Sequence, residues 1–164
     1  MTLKLASLII TILFSGLIAG LFFGYACSVN PGLHYLLDKE YVKAMQSINI
    51  QIQNFYFFLP FMGLLVLFPL STWFIYKQGN SADFYLWMAA AMLYFVGVMG
   101  VTMAGNVPLN NQLAAVDLNS ISAEALAQAR TGFESNWGKY HLWRTAASVI
   151  SFLLTVIVAA KKVM

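Results

Sequence analysis

Four apolar runs, about residues 5–26, 55–76, 84–105 and 140–160, are each long enough to cross the ~30 Å hydrocarbon core of a bilayer as a helix. Inside lipid every backbone amide must find its partner within the protein, so runs of this length can only be helices packed into a bundle. Composition agrees. The chain is 60% hydrophobic and 9% charged, whereas a soluble domain is about 25% charged. The expected architecture is an all-α membrane protein, one four-transmembrane-helix bundle over residues 1–164, with two extra non-spanning helices on one membrane side.

The charges exclude some partners. A net charge of +3 comes from scattered lysines and arginines, with no basic run that would track a phosphate backbone, so nucleic acid is not a partner and the lipid bilayer is. The single cysteine, Cys27, excludes an internal disulfide and a cysteine-based zinc site. The first run is longer than the apolar region of a signal peptide and is expected to be retained as a span.

The fourth run opens on polar groups. Trp137, His141, Arg144, Ser148, Ser151 and Thr155 recur at steps of 4, 3, 4, 3 and 4, which puts them on one side of one helix. A guanidinium near the centre of a span costs about 2.5 to 3.5 kcal/mol on insertion scales, so Arg144 should face protein, water or a ligand. Two readings compete. Arg144 snorkels to the headgroups, with Trp137, Tyr140 and Trp143 as an interfacial belt, or the stripe lines a functional pocket. An anchor has no use for the imidazole of His141 one turn earlier, which favours the pocket.

The connecting segments carry the remaining polar groups. Ser28–Gly32 should break the first helix, and Asp38 should cap a short helix through Gln53 whose Gln46, Asn49 and Gln53 form an uncharged polar stripe. Gln46 and Asn49 are candidates to line a pocket, and His34 is expected to be a loop histidine. Gly105 should end the third helix, leaving Asn106, Asn110 and Asn111 on a proline-stiffened turn. Ser122 or Ser120 should cap a further helix, separate from the fourth span, running to about Ser135.

Inside the spans, Pro60 and Pro69 should kink the second helix or end it early. Met88, Met92, Met99 and Met103 share a face of the third, which is expected to be core packing rather than a soft-metal path. Gly16, Gly20 and Gly24 should form a close-packing face, crossed by the third span and available to a homo-oligomer.

With alternating crossings, the Asp38 helix, the Asn106 turn and the start of the fourth span fall on one membrane side. Lys4, Lys77, Lys161 and Lys162 fall on the other and are matched in number by Lys39, Lys43, Arg130 and Lys139. The lysine pair and the short second loop favour both termini inside a bacterial cytoplasmic (inner) membrane.

Asn106-Val-Pro-Leu-Asn110-Asn111 after the third span, together with Trp137-x3-His141-x2-Arg144-Thr145 opening the fourth, resembles the anthrone oxygenase-like family of small four-helix membrane proteins. Gly20–Gly32 and Tyr41–Asn49 also resemble the first half of that family. The resemblance implies a membrane oxygenase that inserts oxygen at an activated aromatic ring carbon to give a quinone, with no flavin, haem or other cofactor. It also implies that Asn106, Asn110, Trp137, His141 and Arg144 are the functional set. Leu142 and Trp143 stand where members often carry another polar residue beside the histidine, which bears on the substrate more than on the site.

These residues suit such chemistry. Imidazole is the side chain that ionises near neutral pH, making His141 the candidate base, and Arg144 with Asn106 or Asn110 would hold the enolate. Trp137 would stack on a planar, anthrone- or quinone-like ligand. Two other classes compete: a non-enzymatic protein holding an anionic lipid, a quinone or a partner protein at the same mouth, and a metal-dependent oxidase using His34, Glu134 and His141.

Overall fold

A computed structural model describes residues 2–161, and the regular structure among them is entirely helical. Four helices are long and apolar enough to cross a membrane: α1 (Leu3–His34), α3 (Phe55–Tyr76), α4 (Ser81–Ala114) and α5 (Ala123–Ala160). The short α2 (Asp38–Gln51) lies between the first two. Most starts are capped by polar side chains. Thr2, Asn54, Asn80 and Ser122 each accept from the backbone N–H three residues on, satisfying a donor that the helix itself cannot. Asp38 does not cap α2 as expected; Leu37 is the capping position, its N–H donating to the Glu40 carboxylate.

Three expected boundaries are absent. Ser28–Gly32 does not end α1, because the chain widens into a π-helical turn over Tyr25–Val29 and resumes as Asn30–His34, with Pro31 in the first turn of the resumed helix. Gly105 does not end α4, which passes through π-helical Leu93–Gly100 and Thr102–Asn106 into Val107–Ala114, with Pro108 again in the first turn. A proline cannot donate and crowds the carbonyl four residues back, and a wider turn just before it relieves that conflict. Pro60 and Pro69 likewise lie inside an uninterrupted α3.

The third correction concerns α5. Ser122 caps it, but the helix does not stop near Ser135; it continues for 38 residues into the fourth span. Nothing between Ser135 and Tyr140 breaks a helix, and Gly138 costs less than the hydrogen bonds retained. At about 1.5 Å per residue such a helix is ~57 Å long, so its first turns must stand outside the bilayer, on the side of α2.

In the bundle, α1 and α4 each pack on α3 and α5 and stand diagonally to one another. The expected crossing of the third span over Gly16, Gly20 and Gly24 is therefore not found. α1 buries Ser7, Thr11, Ser15, Ile18, Ala19 and Phe22 instead. A Cβ on Gly16 would meet the Phe152 ring at 3.0 Å, whereas Gly20 and Gly24 have open space. The close approaches lie between α4 and α5: a Cβ on Gly97 would fall 2.6 Å from Ala147 Cβ, and one on Gly105 2.5 Å from the Tyr140 ring. Buried hydroxyls join the helices, with Ser151 donating to Ala90 O at 2.8 Å and the Trp87 indole donating to Ser71 at 2.9 Å. Met92 and Met103 face outward, so the methionine face is not a core stripe.

Two apolar cores result. The larger, within the bilayer, is built around Phe68, Trp87, Tyr94 and Val98. The smaller sits above it, where Tyr41, Val42 and Met45 of α2 meet Leu113, Phe133 and Trp137. The site lies at their junction.

Candidate functional site

A cavity of about 480 Å³ opens where the five helices meet. α1 lines it with Phe22 and Tyr25, α2 with Asn49, α3 with Phe57 and Phe61, α4 with Thr102 and Asn110, and α5 with Trp137, His141 and Arg144. Its walls are apolar and aromatic, with polar groups converging from α4 and α5, the usual makeup of a small-molecule site.

Arg144 does not snorkel. It is 9% exposed, and its guanidinium lies over the Phe22 ring at 4.4 Å and the Trp137 ring at 5.1 Å. One ring belongs to the membrane core and the other to the core above it, so the cation is fixed at the junction. Nε and Nη2 approach His141 Nδ1 at 3.2 and 3.1 Å, and Nη1 donates to Thr102 Oγ1 at 3.4 Å. Among the described residues no carboxylate pairs with it.

The imidazole is fixed at both nitrogens. A guanidinium can only donate, so Nδ1 accepts, and Nε2 carries the hydrogen that it donates to Phe22 O at 3.2 Å. Trp137 stacks on His141 at 4.9 Å between centroids and 14° between planes, which locks the ring. The belt expectation divides between the helix faces: Tyr140 and Trp143 are exposed, while Trp137 is buried.

The remaining candidates separate. Asn110 lines the cavity and its Oδ1 accepts from Trp137 Nε1 at 2.8 Å, orienting the indole. Asn106 is buried and outside the lining; its Nδ2 donates to Trp137 O at 3.3 Å and its Oδ1 has no partner. Asn49 lines the cavity, with its Nδ2 buried and unpartnered. Gln46 is absent from the lining because its amide is committed elsewhere, donating to Leu113 O and Val116 O, both at 2.9 Å. It ties α2 to the end of α4.

His34, Glu134 and His141 do not form one site. His34 pairs with Glu134 at 2.7 Å outside the cavity, where Arg130 also holds Asp38, Leu36 O and His34 O. No three metal-ligating His, Cys, Asp or Glu side chains converge among the described residues. Phe22, Tyr25 and Thr102 were not singled out from the sequence; within an apolar run, only the hydroxyls of the last two distinguish them. Tyr25 stands 5.3 Å from the His141 ring and donates to Met45 Sδ at 3.1 Å.

Fold and site together define a four-helix membrane protein with an arginine–imidazole pair in an aromatic cavity. The sequence profile of the anthrone oxygenase family matches residues 54–154, and the chain belongs to that family. The match spans α3, α4 and most of α5, with Asn106, Asn110, Trp137, His141 and Arg144; it does not reach Gly20–Gly32 or Tyr41–Asn49. No curated protein and no solved structure matches the chain.

Proposed function

We propose that the chain is a membrane-embedded oxygenase acting on a planar, anthrone- or hydroquinone-like aromatic in the cavity of Phe22, Trp137, His141 and Arg144. One observation carries this reading: a buried guanidinium without a carboxylate partner among the described residues, held against an imidazole in an aromatic cavity. A cation desolvated in this way favours a ligand that is, or becomes, an anion.

The proton step requires an exchange of hydrogen bonds. Arg144 occupies Nδ1, the nitrogen that must accept the proton. As the substrate binds, the guanidinium turns its donors to the enolic oxygen, and Nδ1 becomes free to take a proton from the activated ring carbon. Nε2–H stays on Phe22 O, keeping the ring oriented. The enolate then lies between two cations and transfers electrons to molecular oxygen; a carbon–oxygen bond forms, and the oxygen–oxygen bond breaks as the remaining proton on that carbon leaves. For each methylene converted to a quinone carbonyl, O₂ is consumed and water is released. Asn110 acts indirectly by holding Trp137, the stacking wall.

A second reading is favoured by the same bond, because an imidazole whose basic nitrogen is capped by arginine suits holding a ligand better than moving a proton. On that reading the chain is an accessory protein binding a quinone or an anionic lipid. Oxygen consumption by nanodisc-embedded protein with anthrone and hydroquinone substrates separates the two. Turnover abolished in His141→Ala supports the oxygenase; tight quinone binding without turnover of any phenol supports the accessory role.

The setting we assign is the bacterial cytoplasmic membrane, with both termini inside. Support comes from Lys4, Lys77 and Lys161 at the end of the bundle opposite α2; Lys162 lies outside the described residues. Gly20 and Gly24, open on the outer face, would admit a second copy, whereas Gly16 is covered by Phe152.

A further inference from the structure

Several residues that line the cavity also face out of the protein. Leu21, Phe58, Met62 and Met103 are 41%, 41%, 46% and 58% exposed and border the same space as His141 and Arg144. Exposed apolar side chains on a membrane helix are ordinary in themselves. These differ because their inner side is the site wall, so the cavity reaches the protein surface at their level.

That surface faces lipid. All four lie on spanning helices, and the outward-facing Tyr140 and Trp143 of α5, beside His141 and Arg144, mark the height of the headgroup boundary. α3 and α4 are joined deeper in the bundle, where Trp87 donates to Ser71, and at the inner wall of the cavity, where Tyr94 donates to Phe61 O at 2.6 Å. Towards the mouth the cavity lies between them, with Phe57, Phe58 and Met62 on one side and Met99 and Met103 on the other. Unbranched methionines can swing aside for a flat ring without breaking a hydrogen bond. The polar alternative is at the rim, where Gln53 and Asn111 are exposed.

We infer that the substrate enters sideways from the bilayer, between α3 and α4 past Met62 and Met103, as a neutral, lipid-dissolved aromatic that ionises only on reaching Arg144. The inference rests on the proposed aromatic site and adds a constraint on its ligand. A permanently charged molecule would have to shed its hydration among Phe58, Met62 and Met103 with nothing to pair it, so sulfonated, carboxylated or phosphorylated aromatics are excluded. What remains is an uncharged polycyclic phenol or carbon acid that partitions into membranes, and its supply must come from a reaction that releases an apolar ring system into or beside the bilayer.

The test follows association rather than turnover, so its failure is distinct from failure of the oxygenase reading. A dihydroxyanthraquinone is mixed with wild-type protein in vesicles and its binding is timed by quenching of tryptophan fluorescence. Met62→Trp with Met103→Trp should slow both association and dissociation by about tenfold, because a narrowed door affects both directions. Gln53→Trp and Asn111→Trp should not slow association. Adding empty vesicles at constant total probe should lower the observed rate, and the sulfonated analogue should not bind. A door closed reversibly guards against misfolding: Met62→Cys with Met103→Cys, in a Cys27→Ser background, should bind slowly when bridged by a reducible linker and recover on reduction. Lateral access is overturned if the rim variants slow binding and the door variants do not, if the sulfonated probe binds as fast as its parent, or if the parent probe does not bind at all.

Discussion

Arg144 donates to the Nδ1 of His141, three residues earlier on the same helix, at 3.2 Å from Nε. The bond fixes the tautomer of the imidazole and occupies the lone pair that a base would use. In the proposed reaction the first event is therefore Arg144 changing partner, with the imidazole free to act as a base once an anion-forming ligand draws the guanidinium away.

Exchange of Arg144 for Lys should separate charge from geometry. Lysine keeps the cation but loses the planar fork that meets His141 and Thr102 together. Binding of a hydroxyquinone and any turnover should both fall by at least about tenfold, the scale of one lost charge-assisted bond. Titration calorimetry in detergent, with wild-type affinity as the contrary result, decides this.

Exchange of His141 for Ala should act on rate. Loss of a general base typically costs about 10²- to 10⁴-fold in turnover, and quinone affinity should change far less because the base acts in the transition state. Full-rate oxygen uptake by the variant would exclude the base role.

Gln46 should matter for stability rather than chemistry. Gln46→Ala strands the carbonyl of Val116, whereas Leu113 O keeps the bond it accepts from Val116 N–H at 3.1 Å; one stranded buried carbonyl costs on the order of 1 to 3 kcal/mol. The melting temperature should drop and ligand affinity should hold; the reverse pattern would return Gln46 to the site.

The glycines give a packing test with an internal control. Gly97→Ala and Gly105→Ala place a methyl against Ala147 and the Tyr140 ring at separations that packed atoms do not adopt, and overpacking of this kind costs about 1 to 3 kcal/mol. Gly20→Leu, with nothing within 4 Å of the added Cβ, should leave the monomer's melting temperature nearly unchanged. Thermal unfolding of all three in one detergent tests the assignment of the α4–α5 seam as the tight one.

Arg130 should behave as the clasp of the smaller core. It bonds Asp38, Glu134 and the carbonyls of His34 and Leu36. Arg130→Ala should raise hydrogen exchange over residues 34–38 and at the start of α2, while exchange within α3 stays slow. Unchanged protection there would mean that α2 is held by its apolar face alone.

The sequence alone determined what depends on local chemistry. Uninterrupted apolar runs specify spans because lipid offers no backbone partner, and the spacing from Trp137 to Thr155 specifies one face because a helix repeats every 3.6 residues. Both follow from a single segment and its solvent, and so the expected pole of polar residues could be seen before any contact was known. Tertiary structure decided what depends on the neighbour. The Asn106 and Asn110 carboxamides look alike in the chain, yet Asn110 lines the cavity and bonds the Trp137 indole while Asn106 holds the Trp137 carbonyl, because one turn of rise along α4 gives each a different part of α5 as its neighbour. Gly16, Gly20 and Gly24 have the spacing of a packing face, but which helix lies alongside is a property of the bundle, and the close approach fell to Gly97 and Gly105. Phe22 reads as one more phenylalanine in an apolar run; only packing put its ring beneath a guanidinium and its carbonyl against an imidazole, since neither partner lies within a hundred residues of it.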